Sequence, residues 1–333
     1  MIKRIAVLTS GGDAPGMNAC IRAVVLTAHT LNLQVIGYRH GYNGLLSREC
    51  QPLHPGDVFN IIQRGGTILR SARCPEFVTE ESAHRAAKNL DDMQIDALLV
   101  IGGNGSFKGM QHLAKFWNGK LIGMPGTIDN DIAGTDATIG YYTAIDTALE
   151  AIDKVRDTAD AFERIFLIEV MGRHAGFIGL ASAVGSGAEQ MLLPELLENG
   201  QIDVDAVVAH VEKTRAARGK CSYIIVTTEN LYPGGATALA AELNRRMKVD
   251  CRAAILGYIQ RGGSPVSLDR ILATKLGAYA VEMAVAGQHL MMAGEHHGEV
   301  VAVPLEETFA SKPLDPYLVR IQRDFFDLLK LQG

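Results

Sequence analysis

The chain has 333 residues, 47% hydrophobic and 21% charged, with a formal net charge of -5; that is the balance of a globular protein with room for two lobes. The charge speaks against a nucleic-acid binder, and no apolar stretch, the short opening run of residues 1–8 included, suits a membrane span or a signal peptide. Five cysteines, Cys20, Cys50, Cys74, Cys221 and Cys251, with no CxxC spacing argue against disulfides or zinc and for a reducing, cytoplasmic compartment.

Residues 5–8 read as a short buried strand that runs into Gly11-Gly12, and Met17–Thr30 reads as the helix that follows. Gln34–Tyr38 is a second strand. Residues 97–101 are a third, ending in Gly102-Gly103 and entering a helix over about residues 105–116. A fourth, 121–124, runs into the sequence Pro-Gly-Thr-Ile-Asp-Asn-Asp at 125–131. A long helix is expected over 141–158. A second alternation then begins at Ile165–Val170, with later strands at 224–228 and 253–256. Strands alternating with helices predict an α/β fold: two lobes, each a mostly parallel sheet sandwiched by helices. Ligands are then expected beyond the carboxyl ends of the strands, in the cleft between the lobes.

The 35 glycines are informative because they gather in pairs after apolar runs: Gly11-Gly12, Gly65-Gly66, Gly102-Gly103 and Gly262-Gly263. The loop Thr9-Ser10-Gly11-Gly12-Asp13-Ala14-Pro15-Gly16 can cradle phosphate on backbone N–H groups at a helix start. Alone, it is equally an ordinary strand–helix turn. Gly102-Gly103-Asn104-Gly105-Ser106 repeats the pattern, and two such loops in one lobe favour phosphate. Thr127-Ile128-Asp129-Asn130-Asp131 sets two carboxylates in a third strand-end loop. These could hold Mg²⁺ or accept the proton of an attacking hydroxyl; the plainer alternative is a solvated Asx turn. Arg73, Arg164, Arg173, Arg252 and Arg261 each lie near a strand end or a glycine turn. Guanidinium forks suit phosphate oxygens, and five exceed the needs of one nucleotide, so a second, phosphorylated substrate is expected. Any one of them could still be a surface ion pair. Trp117, Phe325 and Phe326 read as core, and His296-His297 as surface rather than metal ligands, since no third ligand lies at useful spacing.

In this order the motifs resemble the bacterial-type ATP-dependent 6-phosphofructokinase family. The matching stretches are residues 8–18, 64–77, 101–106, 125–132, 169–173 and 258–265, and the run at 125–131 is the most specific. The resemblance implies transfer of the ATP γ-phosphoryl group to the 1-hydroxyl of fructose 6-phosphate, with Mg²⁺, in a glycolytic, allosteric homotetramer. It implies Asp129 as general base, with Thr127 and Asp131 shaping the same loop and Arg173 beside the reaction. Gly12, Arg73, Cys74, Gly103, Asn104, Gly105 and Ser106 would surround ATP. Thr127, Ile128, Met171, Gly172, Arg173 and Glu229 would hold the sugar. Arg261, Tyr258, and Arg164 and Arg252 from a neighbouring subunit, would meet its 6-phosphate. The larger, ATP-binding lobe would comprise residues 1–140 plus about 255–305, and the smaller, sugar-phosphate lobe 141–254 plus about 306–333.

Members that use pyrophosphate carry an acidic residue at the place of Gly105 and a lysine at that of Gly126; both are glycine here, which favours ATP. The chain departs from the family at Asn104, which replaces an aspartate associated with Mg²⁺. Tyr258 replaces a histidine on the 6-phosphate, and Cys74 a phenylalanine flanking adenine. Arg22, Arg156, Glu189, Arg218 and Lys220 match effector contacts, while Leu26 and Pro55 replace two arginines there. Two alternatives stand beside the main reading: the same chemistry on tagatose 6-phosphate or sedoheptulose 7-phosphate, and a weakly active, nucleotide-binding regulatory paralogue. A dinucleotide oxidoreductase would need a GxGxxG loop that the first turn lacks.

Overall fold

A computed structural model of the chain describes residues 2–219 and 221–327. The strands are β1 (Arg4–Ser10), β2 (Gln34–Tyr38), β3 (Cys50–Leu53), β4 (Ala97–Gly102), β5 (Lys120–Pro125), β6 (Ile165–Val170), β7 (Gln190–Leu192), β8 (Tyr223–Thr228), β9 (Cys251–Ile255), β10 (Met291–His296) and β11 (Glu299–Pro304). The helices are α1 (Met17–Thr30), α2 (Tyr42–Ser47), α3 (Glu80–Asp92), α4 (Asn104–Leu113), α5 (Tyr141–Phe162), α6 (Phe177–Ser186), α7 (Val204–Arg218), α8 (Gly235–Met247), α9 (Ser267–Val285) and α10 (Pro316–Asp327). The chain divides into two compact units. The first takes the residues up to Thr143 with Arg261–Lys312; the second takes Ala144–Gln260 with the chain from Pro313 on.

The first unit holds a seven-stranded sheet in the order β11-β10-β5-β4-β1-β2-β3. Its five central strands run parallel, and β3 and β11 close the edges antiparallel. β4 is buried along its whole length and β1 along nearly all of it, as expected of parallel strands covered on both faces. The strand order reverses between β1 and β4, so the crevice at their carboxyl ends lies between the two glycine loops. On one face α1 packs along α9. There the buried carboxylate of Asp269 accepts from Gly140 N (2.8 Å), Thr143 N (2.7 Å) and Thr143 Oγ1 (2.6 Å), capping the start of α5. Burial raises that carboxyl's pKa although the hydrogen bonds work against it.

The second unit holds a parallel four-stranded sheet, β7-β8-β6-β9. Every residue of β8 is buried. Ile165, Leu167, Tyr223 and Ile225 form a core with Val207 and Val211 of α7 and Leu239 and Leu243 of α8.

Four strands escaped the reading of the sequence. β3 contains Pro52 and two exposed residues, as an edge strand allows, and β7 is only three residues long. β10 and β11 form a hairpin through His297-Gly298, both at positive φ (51° and 83°). That is the geometry of a two-residue hairpin turn, but His-Gly lacks the usual Asn-Gly or Asp-Gly signal. Trp117 is core, as expected. Phe325 is not: it is 55% exposed, and the inward position on α10 belongs to Gln322, whose amide donates to Ala188 O. The side chain of Phe326 lies outside the described residues. No helix among the described residues is long and apolar enough to cross a membrane.

Candidate active site

Sheet register gathers the three expected loops of the first unit. Ser10 at the end of β1 pairs with Gly102 at the end of β4, and Gly102 pairs with Pro125 at the end of β5. Contacts beyond the strands tie the loops together. Ser106 Oγ donates to Ser10 O (3.1 Å), Gly126 N donates to Gly102 O (3.0 Å), and Gly103 lies against Thr127. Gly103 also caps the start of α4, its carbonyl accepting from Ser106 N (2.9 Å) and Phe107 N (3.2 Å), which puts the positive end of the helix at the crevice. Gly11 N donates to Ala72 O (3.2 Å), which fixes the segment carrying Arg73 beside the first loop, and Asn43 Nδ2 donates to Arg73 O (3.3 Å). Cys74 is half-buried against the hydrophobic core, and burial pushes its thiol pKa up.

At Gly12 the backbone lies close under a residue distant in sequence. A Cβ built there would lie 2.0 Å from Arg261 Nη1, so the guanidinium of Arg261 crosses directly over the first loop. Gly105 differs: a Cβ there meets nothing within 4 Å, leaving open space at the start of α4. At Gly126 a Cβ would meet Ile101 Cγ2 at 2.8 Å and Met17 Cε at 3.1 Å, so a lysine there would need the neighbours to shift.

The acidic loop is built around Asn130, a buried residue with φ 54°. Its Oδ1 accepts from Thr138 N (3.1 Å) and Lys312 Nζ (2.8 Å), and its Nδ2 donates to Asp136 O (3.4 Å). Thr138 Oγ1 donates to Thr127 O (2.6 Å), and Asp129 N to Thr127 Oγ1 (3.3 Å). Burial drives the Lys312 pKa down to about 8, against the pull of Asp136 and Asp131. Asn104 Nδ2 donates to Asp131 Oδ2 (2.9 Å), while Asn104 Oδ1 is buried with no partner. An unpartnered carbonyl oxygen beside a carboxylate is a hard-oxygen donor set that fits Mg²⁺ held mainly by a nucleotide and water. Among the described residues no group of three or more His, Cys, Asp or Glu could hold a metal.

The second unit divides its expected residues between the two ends of its sheet. At the carboxyl end, Met171 N donates to the buried Gln260 Oε1 (2.7 Å), Arg173 N to Glu229 Oε1 (2.9 Å), and Glu229 N to Val170 O (2.9 Å). Met171, Gly172, Arg173 and Glu229 therefore form one cluster, with the Arg173 side chain exposed. Arg164 and Arg252 sit at the amino end, where both pair with Asp250; Arg252 Nε is 2.6 Å from its Oδ1. The hydrogen bonds from Arg252 and then Arg164 lower that carboxyl's pKa. β6 separates the two groups by its full length, roughly 20 Å, so they do not meet in one site of one chain. Tyr258 is 82% exposed.

Of the expected effector residues, Arg156 and Arg218 both reach Glu189 Oε1 at 3.5 Å. Glu189 Oε2 accepts from Ile224 N (2.8 Å). Arg22 belongs to the first unit, on α1, and Lys220 lies outside the described residues. Sequence reasoning missed Lys312, Thr138 and Gln260. Each acts through a contact with a residue whose own motif gives no hint of it.

The family model described as phosphofructokinase matches residues 4–284. The chain belongs to the phosphofructokinase family. A Thermus thermophilus protein named ATP-dependent 6-phosphofructokinase 1 is 51% identical over 97% of this chain and 99% of its own length. A Clostridium botulinum protein named ATP-dependent 6-phosphofructokinase is 47% identical over 93% of this chain and 94% of its own. Among solved structures, Pichia pastoris phosphofructokinase in the T-state is 30% identical with a TM-score of 0.85; the match covers 99% of this chain and 37% of that one. The two-lobed α/β architecture with parallel sheets between helices is thus the phosphofructokinase fold.

Proposed function

We propose that the protein is an ATP-dependent 6-phosphofructokinase: it transfers the γ-phosphoryl group of ATP to the 1-hydroxyl of fructose 6-phosphate, giving fructose 1,6-bisphosphate and ADP, a step of glycolysis in the cytoplasm. The observation that carries this reading is the Ser10, Gly102 and Pro125 register, which sets two phosphate-suited glycine loops beside the carboxylates of Asp129 and Asp131.

In this reading the N–H groups at Gly12, Gly103 and Gly105 hold the polyphosphate, Ser106 shapes the turn by donating its own N–H to Gly103 O (2.9 Å), Arg73 is the counter-charge and Cys74 lies toward the base. The open space at Gly105 leaves room for an α-phosphate, which supports ATP over pyrophosphate as donor. Asp129 accepts the proton of the 1-hydroxyl as its oxygen attacks phosphorus. Thr127, Ile128 and Asp131 hold that loop in place. Bound Mg²⁺ would neutralise charge on the β- and γ-phosphates, and Asn104 Oδ1 with Asp129 or Asp131 are the groups of this chain that would face it. Met171, Gly172, Arg173 and Glu229 hold the sugar, and Arg261 and Tyr258 meet the 6-phosphate. Arg164 and Arg252 complete the 6-phosphate site of a neighbouring copy in a homotetramer. Their position at the far end of β6 supports that division.

A coupled assay of the purified protein tests the proposal, with ATP or pyrophosphate as donor and fructose 6-phosphate, tagatose 6-phosphate and sedoheptulose 7-phosphate as acceptors. The expected result is ATP-dependent turnover with the highest kcat/KM for fructose 6-phosphate. Preference for pyrophosphate, or for another acceptor, overturns it.

A further inference from the structure

The loop that carries Asp129 is shaped by more than Thr127, Ile128 and Asp131. Asn130, the next residue, takes a left-handed backbone conformation at φ 54°. Asparagine enters this region more readily than other non-glycine residues because its side chain can bond locally, and here those bonds hold it there. Asn130 is also 3% exposed, so its amide needs partners inside the protein. Thr138, Asp136 and Tyr141 supply three of them from the same stretch of chain. The fourth, Lys312, comes from 182 positions away. Its ammonium donates to Asn130 Oδ1 at 2.8 Å and to Asp136 O at 3.2 Å, bridging both ends of the 130–136 segment.

We propose that Lys312 is a positioning residue for phosphoryl transfer: by gripping Asn130 and Asp136 O it fixes the conformation in which Asp129 and Asp131 present their carboxylates. The inference rests on the assignment of Asp129 as the base. A free lysine side chain has many rotamers, and holding one in a partly buried site is costly. Contacts to one buried amide and one carbonyl, both on the acidic loop, give that cost a use. The bond is charge-assisted, hence stronger than its neutral neighbours. Misplacing a reacting group by about an ångström is enough to lower turnover on the order of a hundredfold, whereas substrate contacts made elsewhere survive. The signature is therefore a fall in kcat at nearly constant KM.

The test compares wild type, Lys312→Met and Lys312→Arg in the coupled assay, with thermal melts of each. Lys312→Met is expected to lower kcat by about tenfold or more, with KM for ATP and for fructose 6-phosphate within about twofold. Lys312→Arg, which restores a cationic donor on a bulkier, planar fork, is expected to turn over faster than Lys312→Met. Wild-type kcat in Lys312→Met overturns the proposal. So does a rise in KM without a fall in kcat, or an arginine variant that melts like wild type yet is as slow as the methionine one. If Lys312→Met does not fold, Lys312→Gln is judged by the same criteria. Absence of turnover in the wild type would instead refute the enzyme assignment, so the two failures are distinguishable.

Discussion

The change most informative about this chain is Asn104→Asp. Asn104 Nδ2 donates to Asp131 Oδ2 at 2.9 Å, and a hydrogen bond to a charged group is worth about 1.5–3 kcal/mol. An aspartate would lose that bond and set two carboxylates about 3 Å apart. Their repulsion is about 1 kcal/mol at the dielectric of water and about 5 kcal/mol at an effective dielectric of 20, and the half-buried position lies between these limits. Without metal, Asn104→Asp should therefore lose roughly 2.5–8 kcal/mol of stability, with the loss held toward the lower end if one of the two carboxyls stays protonated. Mg²⁺ reverses the balance, because a divalent cation prefers anionic oxygen. The variant should regain stability with Mg²⁺ and reach half-maximal activity at lower Mg²⁺ than the natural chain at fixed ATP. Urea denaturation with and without Mg²⁺, beside Mg²⁺ titrations of activity, measures both effects. Equal Mg²⁺ midpoints with unchanged stability would refute the argument. If the natural protein is inactive at every Mg²⁺ level and Asn104→Asp restores turnover, position 104 marks a decayed site instead.

Asp129→Ser should lower kcat by roughly 10²–10⁴-fold while binding of the sugar phosphate changes far less; steady-state kinetics and isothermal titration separate the two. Arg252→Ala, with a raised KM for the sugar phosphate, and Asp129→Ser, nearly inactive, should regain activity at low fructose 6-phosphate when their subunits are mixed and reassembled, since a mixed interface joins an intact Asp129 to an intact Arg252. No recovery in verified mixed oligomers would place Arg252 in its own chain's site. Gly12→Ala should leave folding nearly unchanged, because its Cβ meets only the flexible end of Arg261. Displacing that guanidinium should weaken fructose 6-phosphate binding by the equivalent of about 1.5–3 kcal/mol; an unchanged KM would remove Arg261 from the site. ADP and phosphoenolpyruvate should shift the saturation curve only weakly, since Leu26 and Pro55 lack the charges that bind phosphate; a strong shift would show that Arg22, Arg156 and Arg218 suffice.

The local sequence determined a good deal of this protein. Helix α1 and strands β2 and β6 lie where the apolar runs and turns put them, because hydrophobic periodicity and glycine turns act over a few residues. The loops at 11–12, 103–106 and 127–131 were legible for the same reason, each being a short motif at a strand end. What joins those motifs was not legible. Ser10, Gly102 and Pro125 meet only because β1, β4 and β5 are neighbours in one register, and strand order is a property of the whole sheet. Arg261 over Gly12 and Lys312 on Asn130 join positions 249 and 182 residues apart; no local pattern encodes such a pair, since the glycine turn beside Arg261 marks that arginine but not its partner, and Lys312 alone looks like an ordinary surface cation. Asn104 shows both sides of the division. Sequence marked it as a missing charge, but only folding, by setting its amide against Asp131, gave that neutral side chain a carboxylate to hold.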